Sequence, residues 1–400
     1  MYKGKNIFDE GMSAFSCPIH LNLLDIIQEM NRVERYPLEV YSEKILKAAS
    51  LFNTGLSKSR ESDLISAKEW FCKALDQLHD FNISCLECIP PGTIRDQVSL
   101  SVSLLRCMAL LNLGHVEFQQ SNFVESSRTY HQSLDHLKSI RRDLDTGSIQ
   151  SEMHQEALFY SSYIMAACLN CIGITLFQEE ITDEQGSEYD LIQAKAEGCL
   201  KYLKASTTLY EECSRHHSNL GDSLTFGDTL PFNANMATAF NNLGRVYYIM
   251  DDFEQCLESY TVCLNLRLLS LPANHLDISV SYFNMGQALQ ARGQEGDKEE
   301  VLDHYLTFLA IAAPTLGYAD ESIVKAVVVV TDIYTFLGRF LEAESILHEY
   351  LSSSSFTLPD ALKSKAILLT TLSTVYASQQ KLQESFETLL QAQDLMLTIP

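Results

Sequence analysis

The stretch AFNNLGRVYYIMDDFEQCLESYTVCL, residues 239–264, carries the clearest structural signal in the chain. A Leu-Gly pair, Leu243-Gly244, is followed by Tyr247, a short turn at Asp251–Asp252, and Phe253. Cys256, Tyr260 and Cys263 come next, at spacings of four and three, which puts all three on one face of a helix. The pattern reads as two helices joined by a tight turn. Small side chains at the crossing allow close approach, and the aromatic fills the gap between neighbouring pairs.

Working outward, the same order of residue types recurs. The glycine or small residue of each first helix falls at Gly11, Gly55, Gly114, Gly173, Gly244, Gly286, Thr331 and Ser373. The last four are 42, 45 and 42 residues apart; the earlier intervals are 44, 59, 59 and 71, so the amino-terminal half carries insertions. IFDEGMS from Ile7 and LFNTGLS from Leu51 repeat one another in wording. The second helices echo too: Ala67–Phe71–Ala74, Ser126–Tyr130–Ser133, Gly198–Tyr202–Ala205 and Val301–Tyr305–Phe308, then Ala343–Leu347–Tyr350 and Ser385–Leu389–Ala392. Polar connectors at 143–151, 179–190 and 352–355 mark breaks. The longest loop is expected at 214–235. It divides a divergent array over 1–213 from a regular one over 236–400. Asn22–Arg35 reads as an amphipathic helix.

At 400 residues the chain exceeds the size of one ordinary core, in keeping with a repeat array. Its 52 acidic and 29 basic residues give a formal charge of −23, which disfavours nucleic-acid phosphates and anionic membrane and favours basic partners. The most hydrophobic run, Val327–Val330, is too short to span a bilayer, and the first residues form no apolar leader. Eleven cysteines, several at helix-packing positions, are not a disulfide framework, so a reducing, cytoplasmic setting is expected.

These residues resemble the tetratricopeptide repeat, most fully at Ala237–Ser270, where cysteine stands for both alanines of the second helix. The linker CLNLRLLSLPANHLDISVSYFNMG is similar to the repeats of kinesin light chains, with Leu264, Arg267, Leu271, His275, Asp277 and Asn284 in matching places and Leu276 replacing a proline. No long heptad segment precedes the repeats, so the likeness is to the cargo-binding half of that family. The resemblance implies an all-α fold: an α-solenoid of about eight antiparallel helix pairs forming a right-handed superhelix.

Chemistry finds little footing. Cys85/Cys88 and Cys168/Cys171 are Cys-x-x-Cys pairs without a further ligand at workable spacing, and the second pair lies inside a helix. His216-His217 stands in the expected loop, and Trp70 adjoins the packing residue Phe71. Phosphate-loop, dinucleotide, nucleophile-elbow and zinc-protease motifs do not occur. No catalysis, metal or cofactor is expected.

Such a repeat implies a working surface on the first helices. Projection from the anchors gives Asn170 and Ile174, then Thr238, Asn241, Arg245 and Tyr248. Val280, Phe283, Gln287 and Gln290 follow, then Lys325, Val328, Asp332 and Phe336. The amides would grip a peptide backbone and the phenylalanines line apolar pockets. The expected role is a scaffold holding a peptide or helix of a partner protein in a concave groove. The alternative is an adaptor subunit of a larger assembly, using a convex acidic face or terminal repeats. Leu389, Leu390, Leu395, Met396 and Leu397 of the last unit are expected to meet a partner, a second copy or residues absent from this chain.

Overall fold

The computed structural model describes residues 38–84, 92–147, 154–178, 188–220, 230–294, 296–352 and 359–398. Among them lie fourteen helices and no strand. They are α1 (Leu38–Arg60), α2 (Leu64–Ser84), α3 (Thr93–Gln119), α4 (Phe123–Asp145), α5 (His154–Gln178), α6 (Glu188–Leu220) and α7 (Leu230–Ile249). The rest are α8 (Phe253–Ser270), α9 (Leu276–Arg292), α10 (Asp297–Leu316), α11 (Glu321–Phe336), α12 (Phe340–Leu351), α13 (Pro359–Ser378) and α14 (Leu382–Thr398). The Gly11 unit, the Asn22–Arg35 helix and Cys85/Cys88 fall outside the described residues.

Helices pair in chain order, α1 with α2, α3 with α4, α5 with α6, α9 with α10, α11 with α12 and α13 with α14. What closes each pair is legible residue by residue. A Cβ built on Gly55 would lie 2.8 Å from the Phe71 ring, and one on Gly114 2.7 Å from the Tyr130 ring. At Gly286 the neighbour is Tyr305, at 3.2 Å. The aromatic therefore sits on the glycine of its own pair, where the sequence suggested a gap between pairs. At Gly55 and Gly114 real Cβ atoms do not come so near, so these glycines allow contact that any side chain would forbid; at Gly286 the contact is tight and a side chain would need the ring to give by a few tenths of an ångström.

Small second-helix residues add hydrogen bonds to this close approach. Ser126 Oγ donates to Gly114 O at 2.8 Å, and Ser133 Oγ to Cys107 O at 2.8 Å. Ser206 Oγ donates to Ala166 O at 2.7 Å. In the last pair Ser373 and Ser385 each donate to the other's carbonyl at 2.9 Å.

Two triads are corrected. On α6, Gly198 and Ala205 are exposed and Tyr202 half-buried; Cys199, Leu203 and Ser206 occupy the packing face instead. Leu203 Cδ2 lies 3.0 Å from the Gly173 Cβ position. The packing register of this helix falls one residue later than expected, a difference of 100° in the direction it faces. On α14, Thr388 is buried where Leu389 was expected, and Leu389 faces outward.

The turns inside four pairs share one geometry. Ser62, Ser121, Gly338 and Gln380 adopt left-handed φ of 61°, 61°, 71° and 63°. The following N–H reaches back to a carbonyl in the last turn, as in Asn122 N to Glu117 O at 2.9 Å and Lys381 N to Tyr376 O at 2.9 Å. This is the Schellman termination, which satisfies carbonyls the helix end would orphan.

The described chain divides into two compact units, Met1–Met250 and Asp251–Pro400. Within the segment expected as a loop at 214–235, residues 214–220 continue α6, with His216 and His217 in it, and Leu230 opens α7; residues 221–229 lie outside the described residues. Aromatic packing ties α7 to the first unit. Phe232 lies 6.0 Å from Phe159, 5.7 Å from Tyr163 and 5.9 Å from Tyr210.

In the first unit, α3 and α5 are buried on nearly every side. Val98–Gln119 and Ala157–Gln178 are each long and apolar enough to cross a bilayer, but 83% of each window is buried against other helices. A helix apolar all round belongs inside a core. The main core runs from Ile45 to Cys213 and includes both. Cys168 and Cys171 belong to it as packing residues, and burial pushes the Cys168 thiol up to about 12.

Crossing this core, Glu117 is buried but satisfied. Lys68 Nζ stands 3.2 Å from it, and Thr129 Oγ1 donates to it at 2.8 Å, linking α2, α3 and α4.

Candidate functional site

The projected residues part into two groups. Asn170 and Ile174 on α5 are 5% and 2% exposed. Asn242 Nδ2 donates to Asn170 Oδ1 at 3.0 Å, so that amide joins α7 to α5 inside the core and offers nothing to a partner. Asn241 is also buried; Thr238, Arg245 and Tyr248 are half-buried on α7, and Thr238 Oγ1 donates to Ala234 O at 2.9 Å. The open groove expected over α5 is therefore closed. The warning was in the sequence: from Ala157 to Gln178 there is no charged residue.

In the second unit Phe283 is likewise core. Its ring lies 4.8 Å from Phe308 and edge-on to Tyr305 at 5.6 Å. It supplies no free pocket. Around it, Val280 and Gln287 are half-buried and Gln290 is exposed, accepting from Tyr305 OH at 3.3 Å.

An outward face does exist on α11. Lys325 and Val328 are half-exposed, Asp332 is exposed and Phe336 is 69% exposed. Lys298 Nζ stands 3.2 Å above the Phe336 ring and Lys325 Nζ 5.8 Å from Phe283, both in cation–π geometry. Partial burial pushes the Asp332 carboxyl above its ordinary value.

Beside α11 runs α13, packed directly against it. Its outward stripe is Lys363, Ile367, Thr370 and Thr374, with Ile367 50% exposed. The offsets from Ser373 that yield Ile367, Thr370 and Thr374 equal those from Thr331 that yield Lys325, Val328 and Asp332, so this signal was present in the sequence and the projection stopped one helix short. The two stripes occupy corresponding positions on adjoining first helices and together carry apolar, basic and acidic groups.

The residues that resemble a kinesin-light-chain linker serve structure. Arg267, 4% exposed near the end of α8, donates from Nη1 to Asp277 O at 2.6 Å and to Ser281 Oγ at 2.8 Å. It thereby fixes the start of α9. His275 caps that helix, its Nδ1 accepting from Asp277 N at 3.1 Å. Arg292, closing α9, forms a two-pronged pair with Asp297 at 3.0 and 2.7 Å and reaches Glu254 at 3.1 Å. These groups hold α8, α9 and α10 in register.

The glycine-centred helix pairs, their Schellman turns and the side-by-side first helices define a class: an all-α, tetratricopeptide-like helix-pair repeat. No family model matches the chain, and no curated protein matches it. Among solved structures the chain is similar to the nearly identical TPR-like repeats of a kinesin light chain from Podosopora anserina, at 18% identity over 52% of this chain and 93% of that one, with a TM-score of 0.37. It is also similar to the apo form of RapI, at 12% identity over 87% of this chain and 98% of that one, with a TM-score of 0.44. BtubC (BKLC) from P. vanneervenii shares 10% identity over 66% of this chain and 91% of that one, with a TM-score of 0.40.

Proposed function

We propose that the protein is a non-catalytic, protein-binding scaffold, and that the face formed by α11 and α13 holds an extended peptide or a helix of a partner. The observation that carries this reading is the pair of adjoining outward stripes, Lys325–Val328–Asp332–Phe336 and Lys363–Ile367–Thr370–Thr374. An exposed aromatic, an exposed isoleucine and charges of both signs on one surface suit recognition of a segment that is partly apolar and partly charged. The face itself carries two lysines against one aspartate, so the bound segment would set an acid near Lys325 or Lys363 and a base near Asp332. The charge of −23 acts at longer range, raising the encounter rate with basic proteins and fading with salt. The arrangement lacks a nucleophile–base pair, which supports a binding role over a catalytic one.

The test is selection of binding peptides from a display library, followed by titration against Lys325→Glu combined with Phe336→Ala. The reading expects at least a tenfold loss of affinity with the helical spectrum retained. Unchanged affinity for every selected peptide refutes it.

A further inference from the structure

Helix α14 carries a second surface that the α11–α13 face does not use. Leu382, Phe386, Leu389, Leu390, Met396 and Leu397 are 71%, 62%, 47%, 41%, 55% and 78% exposed. At 100° per residue they fall within about a third of the helix circumference. Thr388 and Ala392 take the buried side. Single exposed leucines are ordinary on a protein surface, but six large apolar residues in register over four turns mark an interaction surface. The stripe is roughly 24 Å long at 1.5 Å per residue.

We propose that this stripe docks an amphipathic helix of a partner protein, one whose apolar face is flanked by lysine or arginine. Two observations choose that occupant. First, second helices elsewhere are covered by a helix: α2 by α3, α4 by α5 and α12 by α13. The ridges of α14 therefore have the form that takes helical ridges in its grooves. Second, α14 contains Glu384, Glu387 and Asp394 and no base. Glu387 and Asp394 border the stripe on the side away from α13. The nearest lysine, Lys381, is engaged with Glu344 at 3.0 Å. A second copy would bring the same three acids against these, whereas a basic flank is attracted. The proposal stands apart from the α11–α13 face and does not depend on it.

The experiment uses the full chain and two labelled sixteen-residue amphipathic peptides of identical apolar pattern, one flanked by Lys and one by Glu, followed by fluorescence anisotropy. The Lys-flanked peptide is expected to bind at least tenfold tighter, and to weaken as salt is raised. Phe386→Asp with Leu390→Asp is expected to remove at least tenfold of that affinity. Glu387→Lys with Asp394→Lys, both at exposed positions, is expected to reverse the preference between the peptides. Phe336→Ala is expected to change neither affinity. Equal binding of both peptides, binding of neither, or loss of binding with Phe336→Ala overturns the proposal. A dimer by light scattering that Phe386→Asp returns to monomer also overturns it, in favour of a second copy.

Discussion

Substituting Gly114 by alanine tests the packing rule on which the repeat rests. In a helix interior this exchange normally gains about 1 kcal/mol, because glycine loses more backbone freedom on folding. Here the new methyl would stand 2.7 and 2.8 Å from Tyr130 Cε1 and Cδ1 and 3.1 Å from Cζ. The ring cannot swing aside, since Tyr130 is 0% exposed. Nor can α4 withdraw freely, because Ser126 and Ser133 are bonded to the α3 carbonyls of Gly114 and Cys107. Overpacking of this kind costs about 1–3 kcal/mol. After the propensity gain, a net loss of about 1 kcal/mol is expected.

Gly198→Ala is the internal control. That glycine also lies inside a helix, α6, but is exposed, and its Cβ would meet nothing within 4 Å. It should stabilise by about 1 kcal/mol, the opposite sign for the same chemical change. In a Tyr130→Leu background the penalty at Gly114 should vanish, giving a coupling of about 2 kcal/mol. Urea midpoints by circular dichroism report the sum. Amide exchange resolved to α3 and α4 reports the local effect, which matters because repeat arrays do not always unfold in one step. Gly114→Ala as stable as the parent, or a loss that persists without the Tyr130 ring, refutes the reasoning.

Further outcomes follow from single groups. Burial pushes His115 down to about 4, against about 6.5 when unfolded, so the native state refuses a proton that the unfolded chain accepts. Its contribution is therefore intact above pH 6.5 and lost as pH falls towards 4, by at most about 3 kcal/mol; His115→Gln should flatten this part of the stability–pH curve, and an unchanged slope argues against it. Gln380 holds a left-handed φ of 63°; Gln380→Gly should raise the melting temperature through a gain of about 0.5–1 kcal/mol, and a fall would contradict the strain argument. Among the eight described cysteines only Cys72 is not buried. It should react with a thiol reagent in the native protein, while Cys107, Cys168 and Cys171 label only on unfolding; rapid native labelling of those three would count against the packing assigned to them.

Much of the fold was legible because its rules are local. Gly55 with Phe71, and Gly114 with Tyr130, are sixteen residues apart in both cases, and a helix, a tight turn and a second helix bring each pair together without help from the rest of the chain. The candidate face was legible only in part. Lys325, Asp332 and Phe336 were reached by projection, as Ile367 and Thr370 could have been from the same offsets. The pairing of Lys298 with the Phe336 ring joins two helices and has no mark in local spacing.

Local spacing alone dictates the kind of element and its inner contact: helix pairs, with a small residue facing a large one at 3.6-residue periodicity. What tertiary structure decided is which of the remaining faces meets solvent. Asn170, Phe283 and Gly198 show the difference. The first two sit at positions a groove would use, yet are buried by α7 and α10. The third occupies a packing register from which α6 has turned away. Periodicity states that a helix has an apolar side; it carries no information on how many neighbours arrive to cover the other sides. That number depends on insertions and on helices far away in the chain, and burial is a sum over all of them.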